Sequence, residues 1–81
     1  MATIFRVGAF RVVVYTNDHA PAHVHAAGNG SAKFELGRGP DDVRLVERRG
    51  VPVSDLRRIA KAIIERHAEC LAEWRRIHGN R

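Results

Sequence analysis

The sequence predicts an α+β domain: a small antiparallel sheet of four to five strands, made of two hairpins and covered by one long C-terminal amphipathic helix. Three observations lead there. The first half of the chain alternates runs of β-branched and aromatic residues with glycine-containing turns. From Ser54 onward the period changes, and apolar residues recur every three or four positions. The whole is 81 residues without a repeat or low-complexity tract, which suits one domain, 1–81, with a single core.

Residues 3–7 and 10–16 flank Gly8-Ala9, a glycine-first dipeptide suited to a two-residue type II′ hairpin turn. That loop length sets Val7 opposite Phe10, Arg6 opposite Arg11 and Phe5 opposite Val12. Phe5, Val7, Phe10, Val12 and Val14 then share an apolar face, and two arginines stand side by side on the other. Like charges directly opposed in a sheet are unfavourable, so Arg6 and Arg11 call for an anionic neighbour inside the protein or an anionic partner outside it.

A second hairpin is expected from residues 23–27 and 31–36 around Gly28-Asn29-Gly30, where glycine is available for a left-handed position. Pairing Ala27 with Ser31 sets Val24 opposite Phe34 on the apolar face. It also sets His25 opposite Lys33 and His23 opposite Glu35 on the polar one; a one-residue slip would mix Phe34 with the histidines. Residues 37–42 hold two glycines, a proline and paired aspartates and read as a loop, and residues 43–48 suit a short fifth strand. Leu56, Ile59, Ala60, Ile63, Ile64, His67, Cys70, Leu71, Trp74 and Ile77 then form one helical stripe. Ser54 suits the N-cap, Asp55 the positive end of the helix and Gly79 its stop. A helix of roughly 24 residues would be about 36 Å long.

The single cysteine excludes an intramolecular disulfide, and no secretory leader or long apolar run is present, which points to a cytoplasmic protein away from membranes. A formal charge of +5 favours acidic partners such as nucleic acid, phosphate esters or an acidic protein.

Chemistry concentrates in Asp18-His19-Ala20-Pro21-Ala22-His23-Val24-His25, which carries three of the five histidines. His23 and His25 project from one face if the segment is extended. His19, His23 and His25 are the candidate catalytic residues: one imidazole as base and another as acid on an RNA 2′-hydroxyl and leaving oxygen, with Arg11 or Lys33 steadying the phosphorane charge. The same spacing could ligate zinc with His19 or Glu35 as third ligand, although no HExxH, paired CxxC or aspartate-rich loop accompanies it and no cofactor is called for. A third reading is structural: the histidines hydrogen-bond a turn made by Asn17, Asp18 and Pro21. His67, on the apolar stripe, reads as a packed core histidine, and Cys70 and Trp74 as core.

A second candidate surface surrounds the helix start. Arg48, Arg49, Arg57, Arg58 and Lys61 crowd a helix N-terminus, where cations oppose the macrodipole, so an anionic ligand is expected there; a solvated basic face is the alternative. With Arg6, Arg11 and Lys33 they make up the candidate nucleic-acid or anion-binding set.

The segments TIFRVGAFRVVVYTNDHAPAHVHA, AKFEL and ERRGVPVSDLRRI, with the helix that follows, resemble the small bacterial domain-of-unknown-function family 4160. The carriers of its Y/F-S-N-D-H-x-P-x-H-V-H run are Asn17, Asp18, His19, Pro21, His23, Val24 and His25. Thr16 stands where serine is usual, and Ala20 and Ala22 where prolines are frequent, which makes the loop less rigid. The resemblance implies a compact α+β protein encoded beside a partner of another uncharacterised family, in an arrangement like a toxin-antitoxin pair. It implies no particular reaction. The expectation is a small cytoplasmic protein of that type, binding RNA or another phosphate-bearing ligand through the histidine surface and the basic helix start, with ribonuclease-like chemistry open. The alternative is a non-enzymatic module that holds a metal or a protein partner with the same motif.

Overall fold

The computed structural model describes residues 2–79. Five strands form one antiparallel meander in the order β1-β2-β3-β4-β5: β1 (Ala2–Val7), β2 (Phe10–Val14), β3 (His23–Ala27), β4 (Ser31–Glu35) and β5 (Arg44–Arg49). A 3-10 turn (Pro40–Asp42) precedes β5, and α1 (Val53–Glu65) and α2 (His67–His78) complete the chain.

Both hairpin registers follow from burial. Val7 pairs Phe10, Arg6 pairs Arg11 and Phe5 pairs Val12. Gly8 takes φ +56° while Ala9 does not have positive φ, the combination a type II′ turn requires. In the second hairpin Val24 faces Phe34, His25 faces Lys33 and His23 faces Glu35. A bulge at Ile4 lets Ile4 and Phe5 both pack toward the core.

The glycines of the second turn serve a different purpose from the one expected. Neither Gly28 nor Gly30 has positive φ. A Cβ on Gly30 would lie 2.4 Å from the Arg49 carbonyl oxygen, so Gly30 is needed because the backbone leaving β5 passes directly over it.

Val12, Val14, Val24, Ala26, Ala32 and Phe34 form the covered face of the sheet, under Leu56, Ile59, Ile63, Cys70 and Trp74 of the helices. The other face is met by α2 at its His23 end, where Trp74 packs, and Val13 near its centre is fully buried; Arg6 and Ser31 lie exposed on its far row.

The expected single helix is two. The stripe runs unbroken through Leu56, Ile59, Ile63, His67, Cys70 and Trp74, but the chain bends at Arg66 (φ −112°, ψ 29°). No proline or glycine marks the spot, which is why periodicity alone predicts a straight rod. Two contacts secure the bend: His67 Nε2 donates to the Leu36 carbonyl at 2.7 Å, and the Arg66 guanidinium lies 4.8 Å from the Phe5 ring centroid. A straight helix of about 36 Å would overhang five-residue strands that span about 17 Å, and the bend returns its second half to the core. Ser54 is not the cap either. Pro52 holds that position and accepts the Leu56 N–H at 3.0 Å, while Ser54 lies inside the first turn. Gly79 ends α2 as expected, at φ 72°.

Candidate functional site

The histidine site is built by the loop that follows β2. Tyr15 N–H donates to Asp18 Oδ2 at 3.0 Å and Asp18 N–H to the Tyr15 carbonyl at 3.2 Å, so the turn closes on itself and fixes the carboxylate. That leaves Asp18 Oδ1 turned toward the start of β3, where strand alternation projects His23 and His25 on one side. Asp18 Oδ1 lies 3.2 Å from His25 Nε2 and 3.4 Å from His23 Nε2. On its other side, His23 Nδ1 donates to the Pro21 carbonyl at 2.8 Å.

Burial works to raise the Asp18 carboxyl, but it is outweighed. The Tyr15 N–H, the hydrogen bond from His25 and the electrostatic pull of both imidazoles hold the group below its ordinary value of 3.8. Asp18, His23 and His25 each present one ligand atom, and the three lie within 4.8 Å of one another. They are the residues able to hold a metal. Neither His19 nor Glu35 belongs to that group, so the third ligand expected from the sequence is replaced by the aspartate of the turn.

The helix layer reaches the same site. Rings meet in series at tilted or edge-on angles: Tyr15 to His25 at 4.7 Å between centroids, His25 to His23 at 5.0 Å, His23 to Trp74 at 5.0 Å and Trp74 to His78 at 4.1 Å. His78 Nε2 donates to the Tyr15 carbonyl at 3.1 Å, tying the end of α2 to the loop. This contact corrects one expectation. The sequence sets His23 on a polar face, whereas it is only 4 % exposed, because the bent helix wraps Trp74 against it. His25 keeps the accessible position, with its side chain 24 % exposed.

Sequence reasoning passes over Tyr15, Trp74 and His78 as site neighbours and treats Asp18 only as a turn residue. For Asp18 a signal existed, since an aspartate seven residues before His25 in a proline-bounded turn can fold back on the strand. For His78, 63 residues from Tyr15, the straight-helix reading left none.

The remaining candidates divide. His19 is exposed and makes no hydrogen bond, ion pair or ring contact among the described residues. The pairings Arg6 to Arg11, Arg11 to Ala27, Ala27 to Ser31 and Ser31 to Arg49 form one row across all five strands of the open face. The adjoining row runs Thr3, Val13, His25, Lys33, Glu47. Arg6, Arg11, Arg49, Lys33 and His25 therefore share one surface, with Glu47 at its edge. No carboxylate lies within 4.0 Å of Arg6, Arg11, Lys33 or Arg49 among the described residues. Arg48 pairs Ala32 and belongs to the helix side of the edge strand. Arg57, Arg58 and Lys61 are exposed on α1 in the other layer. Arg58 is held there by Asp55 at 2.5 Å and approaches the backbone at Gly8. The basic helix start and the histidine surface are thus not one continuous site.

His67 and Cys70 stay outside the site. The first is the buried donor to Leu36. Burial pushes the Cys70 thiol up to about 12, leaving it unionised and unreactive near neutrality.

The sequence model of the family described as "Domain of unknown function (DUF4160)" matches residues 9–75, a span that contains the whole histidine motif and the helices up to Arg75. No curated protein and no solved structure matches the chain.

Proposed function

The chain belongs to the DUF4160 family, and we propose that it binds RNA along the open face of its sheet, with Arg6, Arg11, Lys33 and Arg49 as phosphate contacts. One observation carries the reading. Arg6 and Arg11 are directly opposed in register with no carboxylate within 4.0 Å among the described residues, on the sheet face opposite the main core. An opposed pair of this kind costs stability unless an outside anion completes it. Ala27 and Ser31, small residues at the centre of the row, leave space between Arg11 and Arg49 for a strand of nucleic acid. About four strand spacings, on the order of 19 Å, separate the row's two ends, enough for several phosphates.

The reading is one of binding rather than cleavage. Acid-base cleavage needs imidazoles on separate sides of a phosphate, while His23 and His25 both turn Nε2 toward one Asp18 oxygen. The cytoplasmic location and the toxin-antitoxin-type partner are part of the same proposal; the first rests on the single cysteine and the second on the motif resemblance alone. No helix among the described residues is long and apolar enough to cross a membrane.

Fluorescence anisotropy with a short single-stranded RNA across a salt series tests the proposal. Affinity should fall steeply with salt, and Arg6→Gln/Arg11→Gln should lower the log-log slope by about one per lost contact. A slope unchanged in the double variant sinks it. Expressing the chain alone and with its neighbouring gene, scored by growth, tests the paired role.

A further inference from the structure

The geometry points to a divalent metal site of zinc type made by Asp18 Oδ1, His23 Nε2 and His25 Nε2, independent of RNA binding at the arginine row. His23 has its tautomer fixed by the backbone. Its Nδ1 lies 2.8 Å from the Pro21 carbonyl, which only accepts, so Nδ1 carries hydrogen. In the neutral ring Nε2 then bears a bare lone pair, and that lone pair is aimed at the Asp18 carboxylate oxygen 3.4 Å away. Facing acceptors need either a second proton, on Nε2 of an imidazolium paired with Asp18, or a metal cation between them.

Two of the three edges already have the spacing of a metal ion's ligands, and the whole set lies within 4.8 Å, so the imidazoles close slightly on binding. Zinc bonded at about 2.0–2.1 Å with tetrahedral angles sets its ligand atoms about 3.3–3.4 Å apart. The two measured edges to Asp18 Oδ1 are 3.2 and 3.4 Å. The supports are also those of a ligand set. His23 has its second nitrogen tied to a backbone carbonyl, and Asp18 has its second oxygen tied to the Tyr15 N–H, so both enter with tautomer and orientation already chosen. Two imidazoles and a carboxylate are a borderline donor set suited to zinc more than to calcium or magnesium. His23 and Asp18 are largely enclosed while His25 reaches solvent, which leaves the fourth position open to water on the His25 side. His25 binds as the Nδ1–H tautomer: its Nε2 proton leaves to solvent from a protonated ring, or is exchanged for one on Nδ1 in a neutral ring, and no redox partner is required.

The test is a titration of tag-free, chelator-treated protein with zinc alone, read by calorimetry and by melting temperature. One equivalent should bind and raise the melting temperature. Asp18→Asn, which keeps an acceptor for the Tyr15 N–H, and His25→Gln, at an accessible position, should each weaken binding by about 100-fold or more. His19→Gln should leave it unchanged. Absence of stoichiometric zinc in the wild type, or binding that survives both ligand variants, overturns the site. So does binding that depends on His19. The RNA proposal is read separately: Asp18→Asn should keep its RNA affinity in metal-free buffer, so either claim can fail alone.

Discussion

The histidine end of the open face and the arginine row beside it are separated by only two residues along β3, yet they are built in opposite ways. Around Asp18 the protein supplies partners. The carboxylate takes the Tyr15 N–H and two imidazoles, His23 is clamped between Pro21 and Trp74, and His78 closes the loop from α2. Along the arginine row it supplies none, since Arg6, Arg11 and Arg49 have no carboxylate within 4.0 Å among the described residues. Side chains clamped by partners inside the fold mark a preorganised centre, and like charges left side by side mark a surface completed from outside. The difference teaches that the two should respond to mutation with opposite balances of stability and binding.

The largest effect belongs to the packed end. Trp74→Ala removes the ring that carries both His23 and His78 and should cost about 3–5 kcal/mol in chemical denaturation. His23→Ala should cost about 2–3 kcal/mol, because it leaves a void against Trp74 and an unpartnered Pro21 carbonyl. His25→Ala, at the more accessible position, should cost under about 1 kcal/mol. Equal losses for the two histidines would remove the distinction between clamped and accessible imidazoles.

The arginine row should run the other way. Arg11→Glu places opposite charges across β1 and β2 and should stabilise the fold by about 0.2–1 kcal/mol while abolishing most RNA affinity. A destabilised Arg11→Glu would mean that the arginine pair is satisfied inside the protein.

Acid sharpens the contrast. The Asp18 carboxyl is held below its ordinary value in the fold, so the unfolded chain binds more protons as pH falls through that region. The stability this group contributes is full above about pH 4, and is lost as pH drops through its lowered native value. Denaturation followed between pH 6 and pH 2 should show an acid limb that is shallower in Asp18→Asn. The arginines, charged throughout, should leave that limb unchanged. The smallest effect is expected from Arg57→Gln/Arg58→Gln, whose side chains lie in the helix layer: stability within about 1 kcal/mol of wild type, and a salt slope for RNA close to it.

The registers of both hairpins were legible because a one-residue slip would bury polar side chains, and because Gly8-Ala9 fixes its own loop length. The contacts at the histidine end were not. They depend on the bend at Arg66, which no local residue announces and which arises from His67 reaching Leu36 across 31 positions. Without the bend, Trp74 is generic core, His78 is a helix terminus and His23 is a solvent-facing strand residue. Asp18 was visible in the motif, but its role required knowing that the turn folds back over β3. The basic surface was half legible. Strand alternation placed Arg6, Arg11 and Lys33 correctly, while nearness in sequence joined Arg49 to Arg57 and Arg58, which the layer structure separates.

The central claim is that the open sheet face receives RNA. The most direct measurement is an RNA titration followed by backbone amide chemical shifts at low salt. Perturbations should be confined to Arg6, Arg11, Ala27, Ser31, Lys33, Arg49 and their strand neighbours. Shifts centred on Arg57, Arg58 and Lys61 of α1, or no shifts anywhere, would contradict it.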